Sequence, residues 1–314
     1  MLKKRILLLV AIAIGVVSIY MFTLLGSSPE YVFSRRATKL AAMLLISCSI
    51  GYSSVVFQTI TENRILTPSI MGFESVYILF QALIIFIYNG SEVHPLESHT
   101  NFIFSVFLMI GFASILYLAL FRKGKVSVYF LLLIGLILGT IFMSMTGFIE
   151  LLIDPNEFSI IQKYLFASFN DINTNLLGIS TIILLSTLIG GAFILHKLDV
   201  LSLGKDHAVN LGINYQRLVQ ISLLLITVQV AISTALVGPI TFLGILIANL
   251  SYEFLPTYKH KYTILGACLI GIIFVVGGQY LVENLFNMAT TISILINCVG
   301  GIYFIILLVK SRTI

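Results

Sequence analysis

The chain has 314 residues, 59% hydrophobic and only 10% charged, with a net charge of +5 and a mean hydropathy of +1.07. A soluble domain carries about 25% charge, so this composition excludes a water-soluble globular protein and points to an integral membrane protein. The basic residues are scattered one to three per loop and form no patch, so the positive charge reads as a topology signal and does not suggest nucleic acid as a partner.

Ten apolar runs follow one another, at 6–25, 40–60, 72–88, 101–121, 127–149, 173–196, 216–237, 238–255, 263–286 and 292–309. A helical span needs about 20 such residues to cross about 30 Å of hydrocarbon. The runs are apolar all round and too long for the alternating strands of a membrane barrel. The predicted fold class is therefore all-α, a polytopic membrane protein with about ten transmembrane helices. The first run begins with Lys3, Lys4 and Arg5 like a signal peptide. It is long for one and no clear small-x-small cleavage site comes after it, so it reads as a retained span. An even number of spans puts both termini on one side. All but Arg35, Arg36, Lys39 and Lys163 of the 18 Lys and Arg fall on that side, and the positive-inside rule makes it the cytoplasmic one.

In chain order, Arg36-Ala37-Thr38-Lys39 opens the second run on the outer side. Its cations read either as snorkelling side chains or as exposed charges that steer a partner. Gln58 to Gly72 forms the first inner loop, bracketed by Asn63 and Pro68. Glu74, near the inner end of the third run, is expected to bond to backbone in the adjacent loop. The outer loop Glu92-x-His94-x-x-Glu97-x-His99 has metal-ligand residue types, but it reads as a solvated loop, and no metal site is predicted. Between 150 and 172, Asp154-Pro155-Asn156 marks a turn. The amphipathic run after it is too short to span and predicts a short helix at, or dipping into, the outer mouth.

Leu198 to Arg217 is the longest polar interruption. Gly204 and Gly212 bracket a short helix in which Leu203, Ala208 and Leu211 form one apolar stripe. It reads as a docking helix on the cytoplasmic side or as a solvated connector. At Gly238-Pro239 two spans meet with almost no loop, which predicts a tight reversal with Pro in the first turn of the next helix. Gln279 and Glu283 share a helix face, and Glu283 is near enough to the outer end to reach water. Ser293 and Asn297 share a face of the last span. They line a pore or make a helix–helix hydrogen bond. Cys48, Cys268 and Cys298 all lie in apolar runs and read as small packed residues rather than as a disulfide or zinc set. No phosphate-binding loop and no HExxH or GxSxG pattern is present. Any transport must therefore draw on a gradient or on a partner.

Five of these stretches together resemble the FecCD-type permeases of iron–siderophore, haem and cobalamin ABC importers. The first inner loop resembles the family's Q-x-x-x-x-N-P-L-A-x-P-x-x-x-G in Gln58, Asn63, Pro68 and Gly72, departing at Arg64 and Leu66. Arg36 to Lys39 is similar to its R-L-P-R. Leu198 to Ile213 resembles its L-N-x-L-x-L-G-x-x-x-A-x-x-L-G in Leu201, Leu203, Gly204, Ala208, Leu211 and Gly212. Gly238 to Leu250 resembles its G-P-I-G-F-V-G-L-x-x-P-H-L, with Ala248-Asn249 in place of Pro-His. The last span is similar to its closing motif without the proline.

The resemblance covers nearly the whole chain in order. It implies a single permease domain over 1–314 in the cell membrane, multi-pass, importing a ferric siderophore. A second permease subunit, two cytoplasmic ATPases and an extracellular binding lipoprotein or periplasmic protein are the implied partners, along with the lipid membrane. ATP would be used by the ATPase, so this chain is not expected to be an enzyme, and no cofactor is expected on it. By the same resemblance Leu201, Leu203, Gly204, Lys205, Asp206, Ala208, Leu211 and Gly212 couple to the ATPase. Arg36 and Lys39 dock the binding protein, and Asn63 and Ile65 belong to the inner gate. The alternatives are a haem or cobalamin permease and a gradient-driven secondary transporter, which would need Glu74 or Glu283 as its ion site.

Overall fold

The computed structural model describes residues 2–23, 29–88, 98–121, 128–153, 161–162, 164–170 and 172–311. Every regular element among them is helical. The helices are α1 (Leu2–Phe22), α2 (Pro29–Ile60), α3 (Phe73–Tyr88), α4 (Ser98–Phe121), α5 (Val128–Leu152), α6 (Thr174–Ala192), α7 (Leu195–Leu201), α8 (Lys205–Asn210), α9 (Tyr215–Val237), α10 (Leu243–Phe254), α11 (His260–Asn284) and α12 (Ile292–Ser311). A 3-10 turn, Pro68–Met71, precedes α3.

Ten of these helices coincide with the ten apolar runs. Seven are long and apolar enough to cross a membrane, while Phe73–Tyr88, Leu243–Phe254 and Ile292–Leu307 are shorter apolar helices. The shortest, α10, has 12 residues, about 18 Å at 1.5 Å per residue, so it covers only part of the hydrocarbon. A non-helical stretch precedes it, and this corrects the expected tight reversal. Helix α9 ends at Val237, residues 238–242 are non-helical, and α10 begins only at Leu243. Irregular backbone at membrane depth is tolerated only where protein surrounds it. Here Val237, Gly238, Pro239 and Ile240 are all buried. Gly238 has φ +95°, and an added Cβ would sit 3.0 Å from Ala167 Cα.

The expected mouth helix is described only from residue 161 on, and Asp154 to Asn156 lie outside the described residues. The segment around Ala167 does dip inward, since Ala167 and Phe169 are fully buried. Ser168 N–H donates to Val237 O at 2.8 Å, which holds this segment against the broken one. A second break lies between α2 and α3. There the 3-10 turn rests on α5, with Gly72 at φ +82° against Gly135 and Gly139. The two breaks come directly after α2 and α9.

Helix α2 is the most buried of the membrane-crossing helices. It packs against α1, α6, α9, α10 and α11, most extensively against α11. Small residues allow that approach. A Cβ on Gly51 would lie 3.1 Å from Cys268 N, and one on Gly271 would lie 3.2 Å from Ser47 Cβ. Cys48 and Cys268 are free thiols in this seam, with Cys268 Sγ 3.7 Å from Cys48 O.

Candidate functional site

At the end of the bundle that carries α7 and α8, the polar stretch folds as two short helices rather than one. Gly204, at φ +101°, separates them, and Gly212, at φ +84°, closes the second. Asn214 then caps α9 by accepting from Arg217 N–H at 3.0 Å. The break changes the expected stripe. Leu201 and Ala208 are fully buried, whereas Leu203 (61% exposed), Val209 (49%) and Leu211 (65%) face outward. Leu203 lies before the break and Leu211 is the C-cap of α8, so neither follows the helical phase of Ala208. Lys205 and Asp206 are exposed beside them, and the Lys205 ammonium lies 5.2 Å from the Tyr215 ring centroid. The result is a small apolar surface with charged neighbours.

The first inner loop lies against this unit. Glu62, held at φ +51°, accepts the Lys205 backbone N–H at 3.2 Å. Asn63 Oδ1 accepts from Ile65 N–H at 2.9 Å, a local turn that sets the shape of the loop. Asn63 is exposed and Ile65 half-buried. The Arg64 carbonyl accepts from Gln58 Nε2 at 2.8 Å and from Asn249 Nδ2 at 2.9 Å. The Arg64 guanidinium stacks on Tyr252, 4.8 Å from its centroid. Arg64 and Asn249 both depart from the family motifs, and the structure brings them into one hydrogen bond.

A third group at this end joins residues that no sequence spacing connects. Asp199 Oδ1 accepts from the His260 backbone N–H and faces His260 Nδ1, each at 2.7 Å. The other ring nitrogen, Nε2, is 2.8 Å from Thr59 Oγ1. Neither Asp199 nor His260 figured among the expected site residues, because the signal is purely spatial.

In the body of the bundle the two breaks face each other across a cavity of about 30 Å³, room for about one water. Its lining includes Ser54, Ser69, Glu74, Ser233, Thr234 and Thr241. The Glu74 carboxylate accepts from Ser69 Oγ at 2.6 Å and from Thr241 Oγ1 at 2.8 Å. It therefore bonds hydroxyls on both breaks and not the backbone of the adjacent loop. Ser293 is likewise structural. Its Oγ accepts from Ala167 N–H at 2.7 Å and donates to Pro239 O at 3.3 Å, so it ties α12 to the broken segment. Asn297 keeps a buried Oδ1 with no partner among the described residues.

At the opposite end the structure buries Arg36 and Lys39, which the sequence left open to read as exposed charges. Each is 7% exposed. Arg36 donates to Tyr20 O at 2.7 Å and Thr23 O at 2.6 Å, and its guanidinium lies over the Tyr20 ring. Lys39 Nζ forms a 2.8 Å ion pair with Glu283 Oε1 and donates to Asn170 Oδ1 at 2.9 Å. Glu283 also accepts from Gln279 Nε2 at 2.8 Å and from Tyr20 OH at 3.3 Å. All three contacts fall on Oε1, so this carboxylate at the outer end is held by α1, α2 and its own helix. These cations fasten α1, α2 and α11 together. The loop holding Glu92, His94 and Glu97 lies outside the described residues.

The chain matches the model of the FecCD transport family over residues 5–310. It is 49% identical over 310 residues to the petrobactin import system permease protein YclO of Bacillus subtilis, covering 99% of this chain and 98% of that one. It is 35% identical over 316 residues to the petrobactin import system permease protein FatC of Bacillus anthracis, covering 98% and 89%. Among solved structures it is similar to an inward-facing conformation of a metal-chelate type ABC transporter. The TM-score is 0.85 and the identity 22%, over 99% of this chain and 100% of that one. Permease relatives and apolar helices together make this a multi-pass membrane protein.

Proposed function

The chain belongs to the FecCD transport family, and from that premise we propose that it is the permease subunit of an ABC importer for a ferric siderophore, with petrobactin the first to try. The observation that carries this is the 49% identity to a petrobactin permease over nearly the full length of both chains.

In this reading the end bearing α7 and α8 is cytoplasmic, together with both termini, as the distribution of Lys and Arg requires. Leu203, Val209 and Leu211 enter an apolar cleft of an ATPase subunit, and Lys205 and Asp206 set the register at its rim. A second permease subunit, identical or related, completes the path, and a binding protein delivers the chelate from outside. Hydrolysis is the ATPase's work. This chain supplies the two arrangements between which nucleotide binding selects, and the ATPase must bind one of them better to do so.

The test is co-purification from membranes with the ATPase encoded beside this gene, for wild type and for Leu203→Asp/Leu211→Asp. Both leucines are exposed in the subunit, so the variant is expected to fold. Burying each Leu in an interface is worth roughly 1.5–3 kcal/mol, and an unpaired carboxylate there costs more. The variant should lose the ATPase and with it ATP-driven uptake of the chelate. Ala208→Asp is the poorer probe, because Ala208 is fully buried and its loss would report on folding. The reading falls if wild type retains no ATPase and uptake survives ATP depletion.

A further inference from the structure

We propose that α2 and α11 form one rigid strut across the membrane, and that Asp199, acting through His260 and Thr59, is the positioning residue that fastens the coupling helices α7 and α8 to it. This rests on the importer reading.

The two helices run antiparallel and are joined at both ends. At one end Thr59, in the last turn of α2, meets His260, the first residue of α11, through the ring Nε2 at 2.8 Å. At the other end Lys39 of α2 pairs with Glu283 of α11 at 2.8 Å. Between them lie the close approaches of Gly51 to Cys268 and of Gly271 to Ser47. Close-packed seams of this kind move as units rather than deform. The 25 residues of α11 reach about 37 Å at 1.5 Å per residue, so the strut carries a displacement from one face of the membrane to the other.

Asp199 is the attachment point. One oxygen takes both the backbone N–H of His260 and the ring Nδ1, each at 2.7 Å. A carboxylate there also sits where the α11 N-terminus favours negative charge. Asp199 belongs to α7, and Ser202 Oγ donates to its carbonyl at 2.7 Å just before the α7–α8 break. A second attachment runs from Glu62, two residues past α2, to the first residue of α8. A push on the exposed leucines therefore reaches α2 by two routes and α11 by one, and α2 and α11 move together. The outward-facing apolar surface makes none of these bonds, so docking of the ATPase and transmission of its motion fall on different residues.

The experiment uses the full importer in proteoliposomes, with ATP hydrolysis and uptake of ferric petrobactin measured on the same vesicles. Asp199→Asn keeps size and loses the charge, and Thr59→Val removes only the hydroxyl. In both, the ATPase should remain bound and hydrolyse ATP near the wild-type rate. Chelate moved per ATP should fall about tenfold, the order of an ordinary coupling between sites, and Asp199→Glu should recover part of it. A local cap would behave differently, with hydrolysis and uptake falling together in proportion to folded protein, and that result overturns the proposal. An unchanged ratio in both variants overturns it as well. If Asp199→Asn does not fold, Thr59→Val is judged by the same two criteria. A wild-type chain that binds no ATPase refutes the importer reading before any variant is compared.

Discussion

Lys39→Met should destabilise the bundle by about 3–5 kcal/mol, the usual result of removing one partner from a buried ion pair. The Glu283 carboxylate would keep its bonds from Gln279 and Tyr20 but lose the only cation it pairs with among the described residues. Asn170 would lose a donor in the same step, loosening the segment that leads toward the broken stretch. Lys39→Met/Glu283→Leu removes both charges and should recover much of the loss, because desolvating two ions nearly cancels what their attraction returns. Thermal unfolding of the detergent-solubilised protein separates these cases. A single variant that melts with wild type would mean that Glu283 is solvated and that the outer end is not sealed by this pair. The same experiment bears on docking. If Arg36 and Lys39 were surface charges, Lys39→Met would alter binding-protein affinity and its salt dependence while leaving stability alone.

Gly238→Val is the second substitution with a large expected effect. A φ of +95° with ψ 177° lies in a region open essentially to glycine, and forcing another residue there costs about 1–3 kcal/mol. The Cβ would also meet Ala167 Cα at 3.0 Å and Phe166 O at 3.1 Å, backbone atoms that cannot step aside without moving the whole buttressing segment. Because the 238–242 stretch carries Thr241 to Glu74, a shift there should also open the small cavity between the breaks. Folded yield and chelate uptake should both drop sharply. Gly212→Val is the control for folded yield alone, since Gly212 lies in the coupling segment. It too has positive φ, +84°, but nothing lies within 4 Å of its added Cβ, so only the backbone strain of about 1–2 kcal/mol applies. Equal losses of folded yield in the two would show that packing against Ala167 contributes nothing.

Much of the architecture was legible in the sequence alone. Ten apolar runs became ten helices, because the length of an apolar run and the need to satisfy every backbone group in hydrocarbon are properties of contiguous residues. The motif-bearing stretches were legible for the same reason. Gly204 and Gly212 marked breaks that the structure puts at positive φ, since glycine's freedom is a property of the residue itself. Asn63 also sits in the tight connection that its neighbours suggested.

Which side chains meet was beyond the reach of the sequence. Whether Lys39 faces solvent or Glu283 depends on a residue 244 positions away, and local hydropathy carries no record of it. Helical periodicity placed Leu203, Ala208 and Leu211 on one stripe, yet the backbone turns at Gly204, so Ala208 points in and the leucines point out. Glu74 found its hydroxyls on two separate breaks, and Asp199 found His260 across 61 residues. Composition and contiguous pattern determined that this chain crosses a membrane as helices, and its motif stretches carried the resemblance to the FecCD family. Only the tertiary structure decided which charges are consumed in holding the bundle together and which surfaces are left free to act. Burial and pairing are set by neighbours in space, and the chain's order does not encode those neighbours locally.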